Sequence, residues 1–349
     1  MTGAPIVFNN YLEESIRSNS FEVFVCSRYG GDLKIESSDH VVLRKTIRTS
    51  LLGKLTSKGF DFLRILNLFI KIKPDLIITN TYINALPIIT GKILNRKTVC
   101  LVHENAGAKI QFLPTRRLII NSVDLIITVS RASSKFCLLQ GASLNKIKKI
   151  SNGLNLSQFV IKSSQATKTT YTLGALANWS KHKRLDVVLR IFERLQGLCD
   201  SKFKLIIGGD SFHEYSEEFR NLKEKFESES ICFNGIVKNN ESFYSHIDGF
   251  LFFSEHESFP TVLLETLYYQ IPTFTLEGID SAEEVADIAL IQGKDEIDLA
   301  LRIMSFYCDD YPANYAIWQE KCLTTIKKHD LKIKWNKIEE AIHSVMTTN

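Results

Sequence analysis

Short apolar runs alternate with amphipathic stretches along most of the chain, and this alternation restricts the folds open to it. Glu22–Ser27, Asp75–Thr79, Thr98–His103, Asp124–Val129 and Ile147–Ser151 read as strands. So do Tyr171–Leu176, Lys204–Gly208, Ile231–Asn234, Gly249–Phe253 and Thr273–Leu276. Leu118-Ile-Ile120 has the same short, polar-punctuated look. Helical spacing predicts helices over Pro5–Ser18, Ser50–Lys73, Tyr82–Leu94, Arg131–Gln140 and Arg184–Leu195. Further helices are expected over Tyr215–Glu227, Glu241–His246, Pro260–Gln270 and Ile297–Phe306, with a largely helical tail from Tyr315 to Val345. Apolar strands separated by helices imply parallel sheets covered on both faces, an α/β architecture.

At 349 residues, two domains are the natural division. The polar stretch from Ser157 to Thr170 reads as the linker between them. The expected organisation is a first domain over 1–157, a linker over 158–170, a second domain over 171–312 and a helical tail over 313–349.

Charge is uneven. Residues 1–155 hold 22 Lys+Arg against 10 Asp+Glu, and residues 156–349 hold 21 against 29. A basic half suggests an anionic partner such as a membrane surface or a phosphate-bearing acceptor. The amphipathic segment Lys58 to Lys73 has basic ends suited to lipid headgroups, while its wide apolar stripe suits packing on a core. Nucleic acid fits poorly, because basic and aromatic residues are not interleaved and no zinc-finger spacing occurs. No run has the apolar length of a membrane span, and the start lacks the basic and apolar regions of a signal peptide. Seven scattered cysteines without a C-x-x-C pair read as reduced thiols, and the expected location is cytoplasmic.

The stretch Ser254-Glu-His-Glu-Ser-Phe-Pro-Thr-Val-Leu-Leu-Glu265 is where chemistry concentrates. It follows the apolar run Gly249–Phe253 and opens a helix. Ser258 is the expected N-cap and Pro260 sits near the first helical position, where its missing N–H is harmless. Free backbone N–H groups and the positive end of a helix dipole suit an anion there. Glu265 lies one turn beyond Thr261 on the same face, and a carboxylate so placed can accept two hydrogen bonds from a diol. Glu14 and Glu22 share the eight-residue spacing of Glu257 and Glu265, so spacing alone is uninformative.

With its context, this stretch resembles the E-x7-E signature of glycosyltransferase family 4, retaining enzymes of the GT-B fold. Other segments resemble that family in the same order. Ile150-Ser-Asn-Gly-Leu-Asn-Leu-Ser-Gln-Phe159 is similar to its P-N-G-V-D-x-x-x-F hinge segment, and Leu173 to Asp186 to its G-R-L-x-x-x-K-G-x-D, with Ala175 where the family has arginine. Leu205-Ile-Ile-Gly-Gly-Asp210 resembles a strand ending in G-D-G, Phe233-Asn-Gly-Ile-Val237 the F-x-G-x-V strand, and Leu101-Val-His-Glu104 the H-[DE] strand end. Gly278 to Glu284 is a degraded G-G-x-x-E and receives no role. Thr2-Gly-Ala-Pro5 resembles the glycine loop after the first strand of the fold, but no strand precedes it. The implied fold is therefore GT-B, two Rossmann-like domains facing a cleft, with the first strand of the N-terminal domain missing.

The resemblance implies transfer of a sugar from a UDP- or GDP-linked donor to a glycan or lipid-diphosphate-linked acceptor, with retention and without metal or other cofactor. It assigns Glu257 and His103 to the transferred sugar as catalytic residues, and Glu265 to the ribose. Lys183 and the Thr261–Val262 amides take the diphosphate, and the Ser258–Phe259 backbone lies at the sugar. Ile236 and Val237 hold the base edge. Gly3, Asn152 and Gly209 complete the donor site, and Arg184, Lys181 or His182 replaces the absent arginine charge. Surface polysaccharide assembly, at the inner face of the plasma membrane, is the implied setting. Two rivals keep the fold: a non-catalytic nucleotide-binding or scaffold subunit, and a nucleotide-sugar epimerase.

Overall fold

Burial spacing explains the first element. Val7, Tyr11, Leu12 and Ser15 are buried at helical intervals, and helix α1 spans Gly3–Ser18. Asn19 then turns left-handed at φ 53° and ends it. The computed structural model describes residues 3–29, 40–44, 51–81, 85–104, 114–157, 159–161, 167–199, 202–211, 215–255, 257–278 and 290–347. The chain forms two compact units, residues 1–155 with 331–349, and residues 156–330.

In the first unit, strands β1 (Val25–Tyr29) and β2 (His40–Arg44) pair in parallel, with Val25 opposite His40. Helix α2 (Leu51–Ile72) leads to β3 (Leu76–Asn80), α3 (Ala85–Ile93) to β4 (Lys97–Val102), and α4 (Pro114–Ser122) to β5 (Leu125–Thr128). Helix α5 (Arg131–Leu139) is capped by Ser130, whose side chain accepts from the Ser133 N–H, and leads to β6 (Ile147–Lys149). Strands β3 to β6 form a second parallel sheet in sequence order. Alternate residues serve opposite faces. Val99, Leu101, Leu125 and Ile127 pack against α1, and against Trp335, Ile338 and Ile342 near the C-terminus. Cys100, Val102 and Ile126 pack instead with Ile88, Ile120, Phe136 and Cys137.

In the second unit, β7 (Tyr171–Leu176), α6 (Leu185–Leu198), β8 (Phe203–Gly208), α7 (Ser216–Phe226) and β9 (Ile231–Gly235) follow one another. Then come α8 (Asn240–Ser245), β10 (Gly249–Leu251), α9 (Thr261–Tyr268), β11 (Thr273–Leu276), β12 (Leu290–Gly293), α10 (Glu296–Cys308) and α11 (Tyr311–Lys327). All sheet pairs described are parallel, in the order β12-β11-β10-β7-β8-β9. Tyr171, Tyr307, Tyr311 and Tyr315 build an aromatic core; the Tyr171 and Tyr307 rings lie 4.5 Å apart. Each such buried ring contributes about 1.5–3 kcal/mol through area alone. The phenol of Tyr307 is satisfied by donating to the Asp248 carbonyl at 2.8 Å.

Several expectations are corrected. Leu118-Ile-Ile120 lies in α4, where helical turns bury Ile120 and expose Leu118. Strand β10 ends at Leu251, although Phe252 and Phe253 remain buried. Gly3 is the first residue of a helix, not part of a loop. The tail divides: α11 stays in the second unit, and α12 (Leu331–Met346) belongs to the first. Gly153 makes the docking of α12 possible, because a Cβ there would lie 2.8 Å from Leu331 Cα. Part of the expected linker, residues 158 and 162–166, lies outside the described residues.

One buried-edge carboxylate ties β4, β5 and α3. Asp124 Oδ2 accepts from Lys92 Nζ at 2.5 Å, from the Thr98 N–H at 2.8 Å and from Thr98 Oγ1 at 3.0 Å. Desolvation pushes this carboxyl upward, but the hydrogen bonds from Lys92 and Thr98 outweigh it and hold the group below its ordinary value. Asp124→Asn is expected to cost about 1.5–3 kcal/mol in urea unfolding. A depressed folded value makes this contribution present above the ordinary carboxylate range and lost as pH falls through it. The stability gap between wild type and variant should therefore close on acidification.

Candidate active site

The second sheet grows from β7 to β9 in one direction, then from β10 to β12 in the other. The reversal lies between β7 and β10, and open parallel sheets bind ligands outside the carboxyl ends of strands at such a point. Two loops leave there, residues 177–184 after β7 and residues 252–260 before α9.

The first loop is anchored to the next strand. Gly209 has φ 96°, and a Cβ on it would lie 1.8 Å from the Ala177 carbonyl oxygen, so only glycine permits this approach. The Ala177 N–H donates to the Gly208 carbonyl at 3.3 Å, Trp179 Nε1 donates to the same carbonyl at 2.9 Å, and the Trp179 N–H donates to Asp210 O at 2.9 Å. The Gly209 N–H donates to Gly235 O at 2.7 Å. The ends of β7, β8 and β9 are thus fastened to one another. Gly209 serves this backbone contact.

Beyond Trp179, Lys181–Lys183 form one 3-10 turn and Arg184 turns left-handed at φ 52°. Lys183 Nζ is hydrogen-bonded and ion-paired to Glu257 Oε1, which also accepts from Ser254 Oγ at 2.9 Å. Arg184 pairs with Glu255, and the Glu255 N–H donates to His182 O at 3.0 Å. Arg184 also reaches Asp186 at 3.3 Å, Asp186 accepts from Arg190 at 2.9 Å, and Arg190 donates to Glu296 at 2.9 Å. Arg184 therefore clamps the loop rather than offering a free charge. Its pairing with Glu255 was illegible in the sequence, since Glu255 lies far along the chain and no local pattern joins the two.

Pro260, not Ser258, occupies the N-cap of α9, and no side chain caps it. The Thr261 and Val262 N–H groups stand at the first helical positions, where intrahelical acceptors are absent. Ser258 is partly buried, while Phe259 is buried and packs on His329, so Phe259 offers its backbone rather than its ring. One turn along, Glu265 Oε2 accepts from Tyr244 Oη at 2.7 Å and Asn240 Nδ2 at 3.2 Å, and Oε1 has no partner among the described residues. Burial raises the Glu265 carboxyl above its ordinary value, although both hydrogen bonds oppose this. Tyr244 and Asn240 were missed in the sequence: their helix was expected, but no local pattern pairs it with Glu265 on a later helix. Ile236 is exposed and Val237 half-buried beside a cavity of about 370 Å³ that also meets Asn239, Ser242 and His246.

In the first unit, His103 follows β4. Desolvation lowers its pKa to about 4, and Nε2 is buried without a partner among the described residues. The ring is neutral at pH 7 and keeps unmet hydrogen-bonding capacity. Asn152 is buried and only 2% exposed, beside Ser151, whose Oγ accepts from Lys334 Nζ at 2.7 Å. Among the described residues, no group of three or more His, Cys, Asp or Glu is placed to hold a metal ion, and no helix is long and apolar enough to cross a membrane.

Residues 157–317 match the family described as glycosyl transferases group 1, and residues 8–158 match glycosyltransferase family 4. The chain belongs to this family of GT-B glycosyltransferases. A curated relative, the "Uncharacterized 41.2 kDa protein in cps region" of Klebsiella pneumoniae, is 26% identical over 186 residues. That match covers 50% of this chain and 49% of the relative, so the chain spans about half the relative's length. Among solved structures, Anabaena HepE in complex with UDP and glucose superposes with a TM-score of 0.78 at 17% identity, covering 98% of this chain and 96% of that one. The lipopolysaccharide outer core galactosyltransferase WaaB superposes with 0.71 at 13% identity, covering 99% and 96%. At such identities the likeness establishes the fold.

Gly209→Ala is expected to force apart the ends of β7 and β8 and to lower the Tm in a thermal melt. The strain alone is about 1–2 kcal/mol.

Proposed function

We propose that the chain is a retaining glycosyltransferase that moves a sugar from a nucleotide-sugar donor to a glycan or lipid-linked glycan, without metal, in surface polysaccharide assembly. The observation that carries this reading is the joining of Lys183 to Glu257 beside the uncapped start of α9, where the sheet reverses. HepE holding UDP and glucose supports a uridine diphosphate donor. The cps-region relative and WaaB support a surface polysaccharide product.

In this reading Lys183 and the Thr261–Val262 amides take the charge that develops on the diphosphate as the anomeric carbon–oxygen bond breaks. Lysine has three N–H donors, so it can hold Glu257 and a phosphate oxygen together. Glu257 then accepts from sugar hydroxyls, Glu265 Oε1 from the ribose diol, and the base lies against the Ile236–Val237 backbone. His103 acts as a neutral hydrogen-bonding group toward the donor sugar. Gly3, at the start of α1, and Asn152, buried beside Ser151, keep the donor-site places that the family resemblance implies. The acceptor hydroxyl attacks the face that the diphosphate leaves, and the diphosphate receives its proton.

Lys183→Ala and Glu265→Ala are each expected to lower transfer from UDP-glucose, or from the true donor, by about 10–100-fold, the worth of one charge-assisted hydrogen bond. Unchanged turnover in both variants sinks the site. Nucleotide binding by wild type without hydrolysis or transfer supports the non-catalytic subunit instead. The raised Glu265 carboxyl gives a pH signature: the ionised form accepts the diol, so UDP affinity should fall on acidification sooner than an ordinary carboxylate would allow. Tyr244→Phe removes a bond to that ionised form and should move the fall to still higher pH.

The setting at an inner membrane face rests on α2. Phe60, Leu63 and Ile70 are 62%, 59% and 54% exposed, at helical spacing beside Arg64 and Lys71. Wild type is expected to sediment with phosphatidylglycerol vesicles, and Phe60→Asp with Leu63→Asp to abolish this.

A further inference from the structure

Two thiols of the second unit meet at its surface. Cys308 is the last residue of α10, and Cys199 follows the last turn of α6 as its C-cap. Their side chains are in hydrogen-bonding contact. Cys308 is exposed and Cys199 half-buried, so solutes reach the pair. Helices α6 and α10 pack side by side and run in the same direction. Arg190 and Arg194 of α6 hold Glu296, the first residue of α10, at 2.9 and 3.3 Å, and the cysteines meet at the opposite ends. The two are far apart in sequence, so tertiary packing alone brings them together. The other thiols offer no comparable pair among the described residues. Cys100, Cys137 and Cys322 are 0% exposed, Cys26 belongs to the first unit, and Cys232 bonds to Asn234 Oδ1 at 3.0 Å. Among the described residues no group of three or more His, Cys, Asp or Glu gathers, so the pair lacks the further ligands of a zinc site.

We propose that Cys199 and Cys308 form a site of reversible oxidative modification, which reacts with small disulfides and closes a disulfide between α6 and α10. One cysteine, as thiolate, attacks the small disulfide, forms a mixed disulfide and expels a small thiolate. The other cysteine, as thiolate, then attacks the protein sulfur of that mixed disulfide and expels the second small thiolate. Each exchange breaks one S–S bond and makes one. The protein thiols give up two electrons and two protons, and the small disulfide becomes two small thiols. Contact favours the second exchange, because a neighbouring thiol competes with free thiols at a high effective concentration. The sulfurs have to close from contact to about 2.0 Å. Cys199 stands outside the helix at φ −144° and ψ 87°, so its side chain has room to turn. Burial and the neighbouring Cys199 raise the Cys308 thiol above its ordinary value, while Lys202 opposes the shift. A raised thiol slows attack at neutral pH and leaves the equilibrium to proximity. Tyr307, beside Cys308, is packed in the aromatic core, so the new bond ties α6 to an anchored helix. The loop it closes is long, and this restricts the unfolded chain strongly. Neither thiol belongs to the donor site, so the inference stands apart from that reading.

The test incubates the reduced full chain with oxidised glutathione, blocks free thiols and maps the unreduced peptides by mass spectrometry. A peptide joining Cys199 to Cys308 within one chain is expected to dominate. Oxidation should raise Tm by about 5 °C or more, and dithiothreitol should return it. Cys199→Ser and Cys308→Ser keep a hydrogen-bonding group at each place and are expected to lose both the link and the shift. Glutathione retained on Cys308 without the link overturns the proposal. So does a different pairing, or a link between chains that grows with protein concentration. An unchanged or lowered Tm in the linked protein, or the same rise in either serine variant, also overturns it. The mapping on wild type needs no variant to fold.

Discussion

Contact between two backbones governs the site. Gly209 lies against the Ala177 carbonyl so closely that no side chain fits, and this contact sets where the loop after β7 can run. Trp179, hydrogen-bonded twice to the end of β8, fixes the next step. Lys183 and Arg184 therefore reach the loop before α9 from a rigid base. Preorganisation of this kind lets a charged side chain meet an anion without first being ordered.

The ion pairs of this region add little to stability. Lys183 and Glu257 side chains are 27% and 22% exposed, Arg184 and Glu255 32% and 39%. Pairs that reach water contribute at most about 1 kcal/mol. Their effect is geometric: they join two loops whose strands are neighbours in space and far apart in sequence. Arg184 adopts a left-handed backbone and still has both carboxylate partners, so a residue spent on shape sits next to one available for a ligand.

Elements with strong periodicity were legible in the sequence. The Ser50–Lys73 helix and the ten expected strands appear close to their expected positions, because apolar content and spacing decide both. Short edge elements were not. Leu290–Gly293 and His40–Arg44 are strands that the sequence reading did not list, because apolar runs as short as Val41–Leu43 do not separate strand from other structure. Leu118-Ile-Ile120 looked strand-like for the same reason, since three adjacent apolar residues fit a strand and one side of a helix equally well. For the site, the sequence pointed to Lys183, Glu257 and Glu265 as residue types in order. It carried no sign that Lys183 would hold Glu257, that Tyr244 would hold Glu265, or that Asn152 would be buried, because each of these depends on tertiary placement.

Helix α12 has a consequence for biogenesis. The second unit is one contiguous stretch, residues 156–330, set inside the sequence of the first. Leu331 rejoins its own unit by donating to Leu154 O at 2.9 Å, across the full length of that insertion. On the ribosome, residues 156–330 can finish folding while the first unit still lacks Trp335, Ile338 and Ile342 from one face of its sheet. The half of the protein made first is thus the half completed last, and a nascent chain shields its exposed sheet only when synthesis has passed Ile342.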